Sequence, residues 1–105
     1  LLEKIERTLE RRHSIAGLAA KAGMSERTFL RRFKAATGTT PNDWLTGLRL
    51  QRARELLETT DLSVDTIAER SGFGTAMTLR HHFRERLATN PAAYRRSFGA
   101  ERATN

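Results

Sequence analysis

The chain repeats itself, and the repeat limits what it can fold into. The stretch SIAGLAAKAGMSERTFLRRFKAATGTTPNDW, beginning at Ser14, lies over SVDTIAERSGFGTAMTLRHHFRERLATNPAAY, beginning at Ser63. The offset is 49 between Gly23 and Gly72 and 50 between Phe33 and Phe83, so one residue is inserted near Gly74. Ile15 pairs with Val64, Leu18 with Ile67, Ala19 with Ala68, Phe29 with Leu79, Phe33 with Phe83, Pro41 with Pro91 and Trp44 with Tyr94. These matches are apolar at helical spacing, which predicts one packed unit built twice. A length of 105 residues has room for two small lobes sharing a connection, but not for an enzyme with a deep cleft.

Each unit has the same grammar. A serine cap opens a short amphipathic helix, Ile15 to Ala22 or Val64 to Ser71, and a glycine closes it; a second cap, Ser25 or Thr75, then starts another. Gly23 and Gly72 supply the positive φ of a tight turn, and small Ala19 and Ala68 let the paired helices approach closely. The two prolines of the chain stand at helix starts, Pro41 after Thr40 and Pro91 after Asn90. From Pro41 to about Thr59 the pattern predicts a connecting helix with Trp44, Leu45, Leu48, Ala53, Leu56 and Leu57 as its apolar residues. At ~1.5 Å per residue it spans roughly 28 Å. Residues 1 to 12 read as a further amphipathic helix with Leu2, Ile5 and Leu9 inward, and Pro91 to Phe98 as a closing one. No run alternates as a strand does.

The expected fold is therefore all-α: two helix-turn-helix subdomains joined by a long connecting helix, about seven helices in all. Residues 1–40 form the first unit, 41–60 the connector, 61–99 the second unit and 100–105 a frayed tail. The start at Leu1-Leu2 reads as a piece of something longer.

The outward faces of the second helices carry the chemistry. With Phe29 inward and about 100° per residue, Arg27, Arg31 and Lys34 fall within about 40° of the opposite pole. With Leu79 inward, Met77, His81 and Arg84 take the outer pole, Arg80 its shoulder and His82 the flank beside Phe83. Adjacent residues diverge by about 100°, so His81 and His82 cannot ligate one ion, and His13 is distant in sequence; no metal site is expected. The charge points the same way: 19 Lys and Arg against 12 Asp and Glu leave +7, the balance of a polyanion binder. No convergent acid pair and no Ser-His-Asp order can be assembled, and there is no cysteine, so an enzyme is not expected and neither is a cofactor. No stretch approaches the about 18 apolar residues of a membrane span and none resembles a signal peptide, which predicts a cytoplasmic protein. Trp44 and Tyr94 read as core. Arg32 and His82 occupy equivalent flanks with structural or backbone-contacting roles, and Arg49, Arg52 and Arg54 are placed to pair with Glu55 and Glu58 along the connector.

Three stretches, IAGLAAKAGMSERTFLRRFKAATGTTPNDWL, LRLQRARELLETTDLSVDTIAERSGFG and LRHHFRERLATNPAAYRRSF, resemble the DNA-binding domain of AraC/XylS-family transcriptional regulators. The likeness runs from about Leu2 to Phe98. TLRHHFR and PAAYRR look most like the subgroup with an amidase-like (DJ-1/PfpI) amino-terminal domain. The resemblance implies that both recognition helices enter successive major grooves on one face of double-stranded DNA. It carries base-contacting roles onto Arg27, Leu30 and Arg31 in the first unit and onto Ala76, Met77, Arg80 and His81 in the second. Leu30 and Ala76 cannot hydrogen-bond and would give only thymine-methyl or van der Waals contact. Phosphate contacts fall to Lys21, Arg32, Lys34, Arg84, Arg95 and Arg96, with the helix N-termini at Ser25 and Thr75. The implied partners are DNA, RNA polymerase and an effector or dimerisation domain outside this chain. A basic protein-interaction module without sequence preference is the competing expectation.

Overall fold

The computed structural model describes the backbone of residues 15–104 and the side chains of 15–99. Capping chemistry sets the helix boundaries within that range. Helix α1 spans Ile15–Lys21 and ends one residue earlier than the sequence pattern suggests. Gly23 stands at φ 70°, and the Met24 amide donates back to the Ala19 carbonyl at 2.9 Å, the reverse turn that only a glycine enters without strain. Helix α2 spans Glu26–Thr37, with the Ser25 hydroxyl accepting from the Thr28 amide at 3.2 Å. Helix α3, Pro41–Thr59, starts at proline behind Thr40, whose hydroxyl accepts from the Asp43 amide at 3.2 Å.

The same steps follow again. Helix α4 is Val64–Ser71, α5 is Ala76–Leu87 and α6 is Pro91–Thr104. Ser63 caps the first of these and Thr75 the second, through the Thr66 and Thr78 amides at 3.1 and 3.2 Å. Asn90 caps the third through the Ala93 amide at 2.8 Å. The inserted residue is Gly74, at φ 85°, and the amides of Phe73 and Gly74 both donate to the Ala68 carbonyl, at 2.9 and 3.0 Å. The extra residue is thus absorbed in the turn, and both helices keep their places.

Two hydrophobic clusters lie along the connector. Leu18, Ala19, Phe29 and Phe33 gather on Leu45, with Ile15, Ala22, Met24 and Trp44 at the margin. Ile67, Ala68, Leu79, Phe83 and Tyr94 gather on Leu50, Ala53, Leu56 and Leu57. Fully burying one such large side chain stabilises the fold by roughly 1.5–3 kcal/mol. Trp44 meets Phe33 edge-on at 5.7 Å and Tyr94 meets Phe83 likewise at 5.6 Å, so both aromatics serve the packing, as the repeat predicts. Leu50, absent from the expected apolar set of the connector, is buried, whereas Leu48 is only half-buried. One helix thus supports both units, and the molecule measures 50 × 25 × 21 Å.

The end of α6 departs from the expectation. The backbone stays helical to Thr104 where fraying was expected after Gly99. Gly99 is buried against the end of α3: a Cβ there would stand 3.6 Å from the Leu57 carbonyl and 3.3 Å from Arg95 Cγ, so its lack of a side chain lets the helix lie close. The described residues hold six helices; the helix expected over residues 1 to 12, the cap at Ser14 and His13 lie outside them.

Candidate nucleic-acid interface

In α2, burial of Phe29 and Phe33 turns Arg27, Arg31 and Lys34 to solvent, with Leu30 36% exposed between them. In α5, burial of Leu79 and Phe83 does the same for Met77, Arg80, His81 and Arg84. Met77 is 76% exposed, far more than a thioether needs for packing. Ala76 departs from the expectation. It is buried, at 7%, although it is the first residue of α5 behind the Thr75 cap.

The caps also define what the helix ends offer. The Ser25 and Thr75 hydroxyls are engaged with Thr28 and Thr78, so they are structural acceptors. The amides of the first two helical residues behind each cap have no intrahelical partner, and they carry the partial positive charge of the helix end. Lys21 and Arg32 are exposed in the first unit.

Arg95 is tied into the fold. Its Nε donates to the Leu57 carbonyl at 3.3 Å and an Nη to the Thr60 carbonyl at 3.1 Å, so this guanidinium closes the C-terminus of α3. The helix leaves those carbonyls without intrahelical donors, and a cation is favourable there. Arg96 remains exposed. The connector arginines also divide differently from the simple intrahelical pairing expected. Arg52 lies 3.7 Å from Glu55, as predicted. Arg54 instead donates to the Tyr94 hydroxyl at 3.2 Å, and that hydroxyl donates to Glu58 Oε2 at 2.6 Å, tying α3 to α6. Burial and the Glu58 hydrogen bond hold the Tyr94 phenol above its ordinary pKa, keeping it neutral as the donor this chain needs.

The adjacent histidines separate as the helical angle requires. Their rings are 5.1 Å apart at 72°; His81 is exposed, while His82 is half-buried and stacked on Phe73 at 5.3 Å and 29°. Burial, then the neighbouring His81 and Arg86, lower the pKa of His82 and favour its neutral form. No grouping of three or more potential metal ligands occurs among the described residues. Sequence reasoning missed one contact altogether: Arg86 near the end of α5 donates to the Asp43 carbonyl at 3.2 Å and to Asp43 Oδ1 at 3.1 Å, 43 residues away. Only tertiary packing brings the two together.

Residues 18–97 match the family described as "Helix-turn-helix domain". The regulator Rv1931c of Mycobacterium tuberculosis is 42% identical over 86 residues, covering 82% of this chain and 33% of that protein. The transcriptional activator NphR of a Rhodococcus species is 38% identical over 100 residues, covering 90% of this chain and 30% of its own. The chain thus spans about a third of the length of these curated relatives. Among solved structures, the DNA-binding domain of the transcriptional factor AdpA in complex with a target DNA superposes with a TM-score of 0.92 at 43% identity, covering 99% of this chain and 94% of that one. With a matching fold, two exposed second helices and a family match across both units, the chain belongs to the AraC/XylS-type helix-turn-helix family.

Proposed function

We propose that this chain binds double-stranded DNA in a sequence-specific manner through both helix-turn-helix units and regulates transcription as part of a longer protein. One observation carries the reading: the same helix of each repeat turns its cationic and apolar-tipped face away from the core. Arg27, Arg31 and Arg80 are suited to read guanine, since a guanidinium presents a bidentate fork to its major-groove edge. Leu30 and Met77 are suited to thymine methyls, and His81 to one hydrogen bond. Ala76 is left out of this set because its methyl is buried. Lys21, Arg32, Lys34, Arg84 and Arg96, with the first-turn amides behind Ser25 and Thr75, attract phosphate. Arg95 is left out, since two of its five N–H donors hold the guanidinium on the carbonyls of Leu57 and Thr60.

Successive major grooves on one face of a duplex recur every ~34 Å, a spacing that a molecule 50 Å long with one recognition helix in each lobe is able to match. The likeness to the AdpA domain, solved in complex with a target DNA, supports the DNA partner. RNA polymerase and an amino-terminal effector or dimerisation domain belong to the same reading. The 33% identity to the regulator GlxA of Rhizobium meliloti, over 95% of this chain and 31% of that protein, is consistent with the amidase-like subgroup for that domain. The role is non-enzymatic and cytoplasmic; no described helix is long and apolar enough to cross a membrane.

Selection of preferred duplexes from a random library supplies the test. Inserting about five base pairs between the two half-elements turns one groove by half a turn and should remove most of the specific affinity. Unchanged binding would leave one unit reading bases, and no preference in the selection would leave a basic protein-interaction module.

A further inference from the structure

We propose that the Arg86–Asp43 bridge sets the orientation of the second recognition helix against the first unit, making both residues positioning residues for spacer recognition. This rests on the reading that both units engage one duplex. The two hydrophobic clusters are separate and share only α3, so the angle between the recognition helices is transmitted through that helix and whatever ties cross it. Arg86 is such a tie. It belongs to α5, whose apolar face packs in the second cluster; Asp43 lies in the first turn of α3, beside the Trp44 and Leu45 that pack with the first. The guanidinium crosses Gly47, where a Cβ would stand 3.9 Å from Nη1, and grips both the carbonyl and the carboxylate of Asp43. Two donors on two acceptors fix direction as well as distance.

The repeat does not supply this contact. The residue matching Arg86 in the first unit is Ala36, and the residue matching Asp43 is Ala93, so the shared frame folds without it. The side chains are 36% and 64% exposed, so the pair contributes little to stability and acts by restricting geometry.

The test uses this chain and the duplex selected above, with the spacer at its preferred length and lengthened by two base pairs, which turns the second element by about 70°. The wild-type chain should lose at least ten-fold in affinity on the longer spacer. Arg86→Ala and Asp43→Asn should each bind the preferred spacer weaker by roughly two- to five-fold, the range of an exposed ion pair, and should lose less than wild type on the longer one. Asp43→Asn should leave binding to a duplex with one half-element unchanged. Opposite effects, with Arg86→Ala weaker and Asp43→Asn tighter by similar factors on every spacer, would show Arg86 to be a plain phosphate contact and overturn the proposal. Variants with the wild-type spacer response also overturn it. A wild-type chain indifferent to the spacer would instead overturn the two-unit reading, and the bridge with it.

Discussion

The two helix-turn-helix units share one apolar template and differ in almost everything outside it. Leu18 and Ile67, Ala19 and Ala68, Phe29 and Leu79, Phe33 and Phe83 take matching buried places. Their outward faces diverge: Arg27 answers Met77, Leu30 answers Arg80 and Arg31 answers His81. The cationic and apolar tips have changed places by a turn of helix, so two copies of one scaffold present different chemistry on their outer faces. The frame is held by packing, where a methylene matters, while the outer face meets only solvent until a partner arrives. The units differ in support as well. The second cluster draws on four buried connector residues and on α6, whereas the first, among the described residues, draws on Leu45 with Trp44 at its edge.

The largest difference should be in stability. Phe83→Ala is expected to cost ~3–5 kcal/mol, read from urea unfolding of the chain, because Phe83 is fully buried among Tyr94, Leu79 and the connector. Phe33→Ala should cost less within that range, since its ring is 6% exposed and its cluster is smaller. Equal losses would mean that the units share one cooperative core despite their separate clusters.

The next difference is in binding. Arg80→Ala should cost ~1–3 kcal/mol at a single base position, and Leu30→Ala, its counterpart, should lose preference for thymine at one position of the other half-element. Arg84→Ala should weaken all sequences alike and make the slope of log K against log salt shallower by about one unit. A uniform loss from Arg80→Ala would move that residue to the phosphate set.

A smaller effect separates the helix ends. Gly38 closes α2 at φ 79°, while its match Ala88 closes α5 at φ 54°, the one described non-glycine residue at positive φ. A left-handed alanine costs roughly 1–2 kcal/mol, partly offset by the roughly 0.5–1 kcal/mol of chain entropy that glycine loses. Ala88→Gly should therefore raise stability by up to about 1 kcal/mol, and Gly38→Ala should lower it by a similar amount. Thermal melts of the two variants check both signs together.

The smallest is a pH effect confined to the second unit. His82 has a lowered pKa in the fold, through burial and then His81 and Arg86, with Glu85 opposing and Arg49 adding to them. Below the usual 6.5 the unfolded chain holds this proton more firmly than the folded one. Stability from the neutral His82–Phe73 stack is thus present above that pH and is lost as pH falls through the lower folded value. His82→Gln should flatten this part of the stability profile, and an unchanged profile would assign the effect to other groups. The matching flank of the first unit is Arg32, so that unit has no histidine at the equivalent place.

The sequence by itself determined the helices and the inward faces. Caps, glycines and prolines are local chemistry, and a repeated apolar period states its own inside and outside; that is why Gly74 could be located as the inserted residue and α3 bounded at Pro41 and Thr59. It also determined the outward places of Arg27, Arg31, Met77, Arg80 and His81, because the rotation of a helix follows from its buried residues. Tertiary structure alone decided which cations are free. Arg84, Arg86 and Arg95 look alike along the chain, yet Arg86 is joined to Asp43 and Arg95 to the last carbonyls of α3. It decided the burial of Ala76 and Leu50 and the passage of α6 over Gly99 as well. A guanidinium on a long flexible stem takes its partner from whatever acceptor the fold brings within about 3 Å, and periodicity along one helix carries no information about acceptors 38 or 43 residues away.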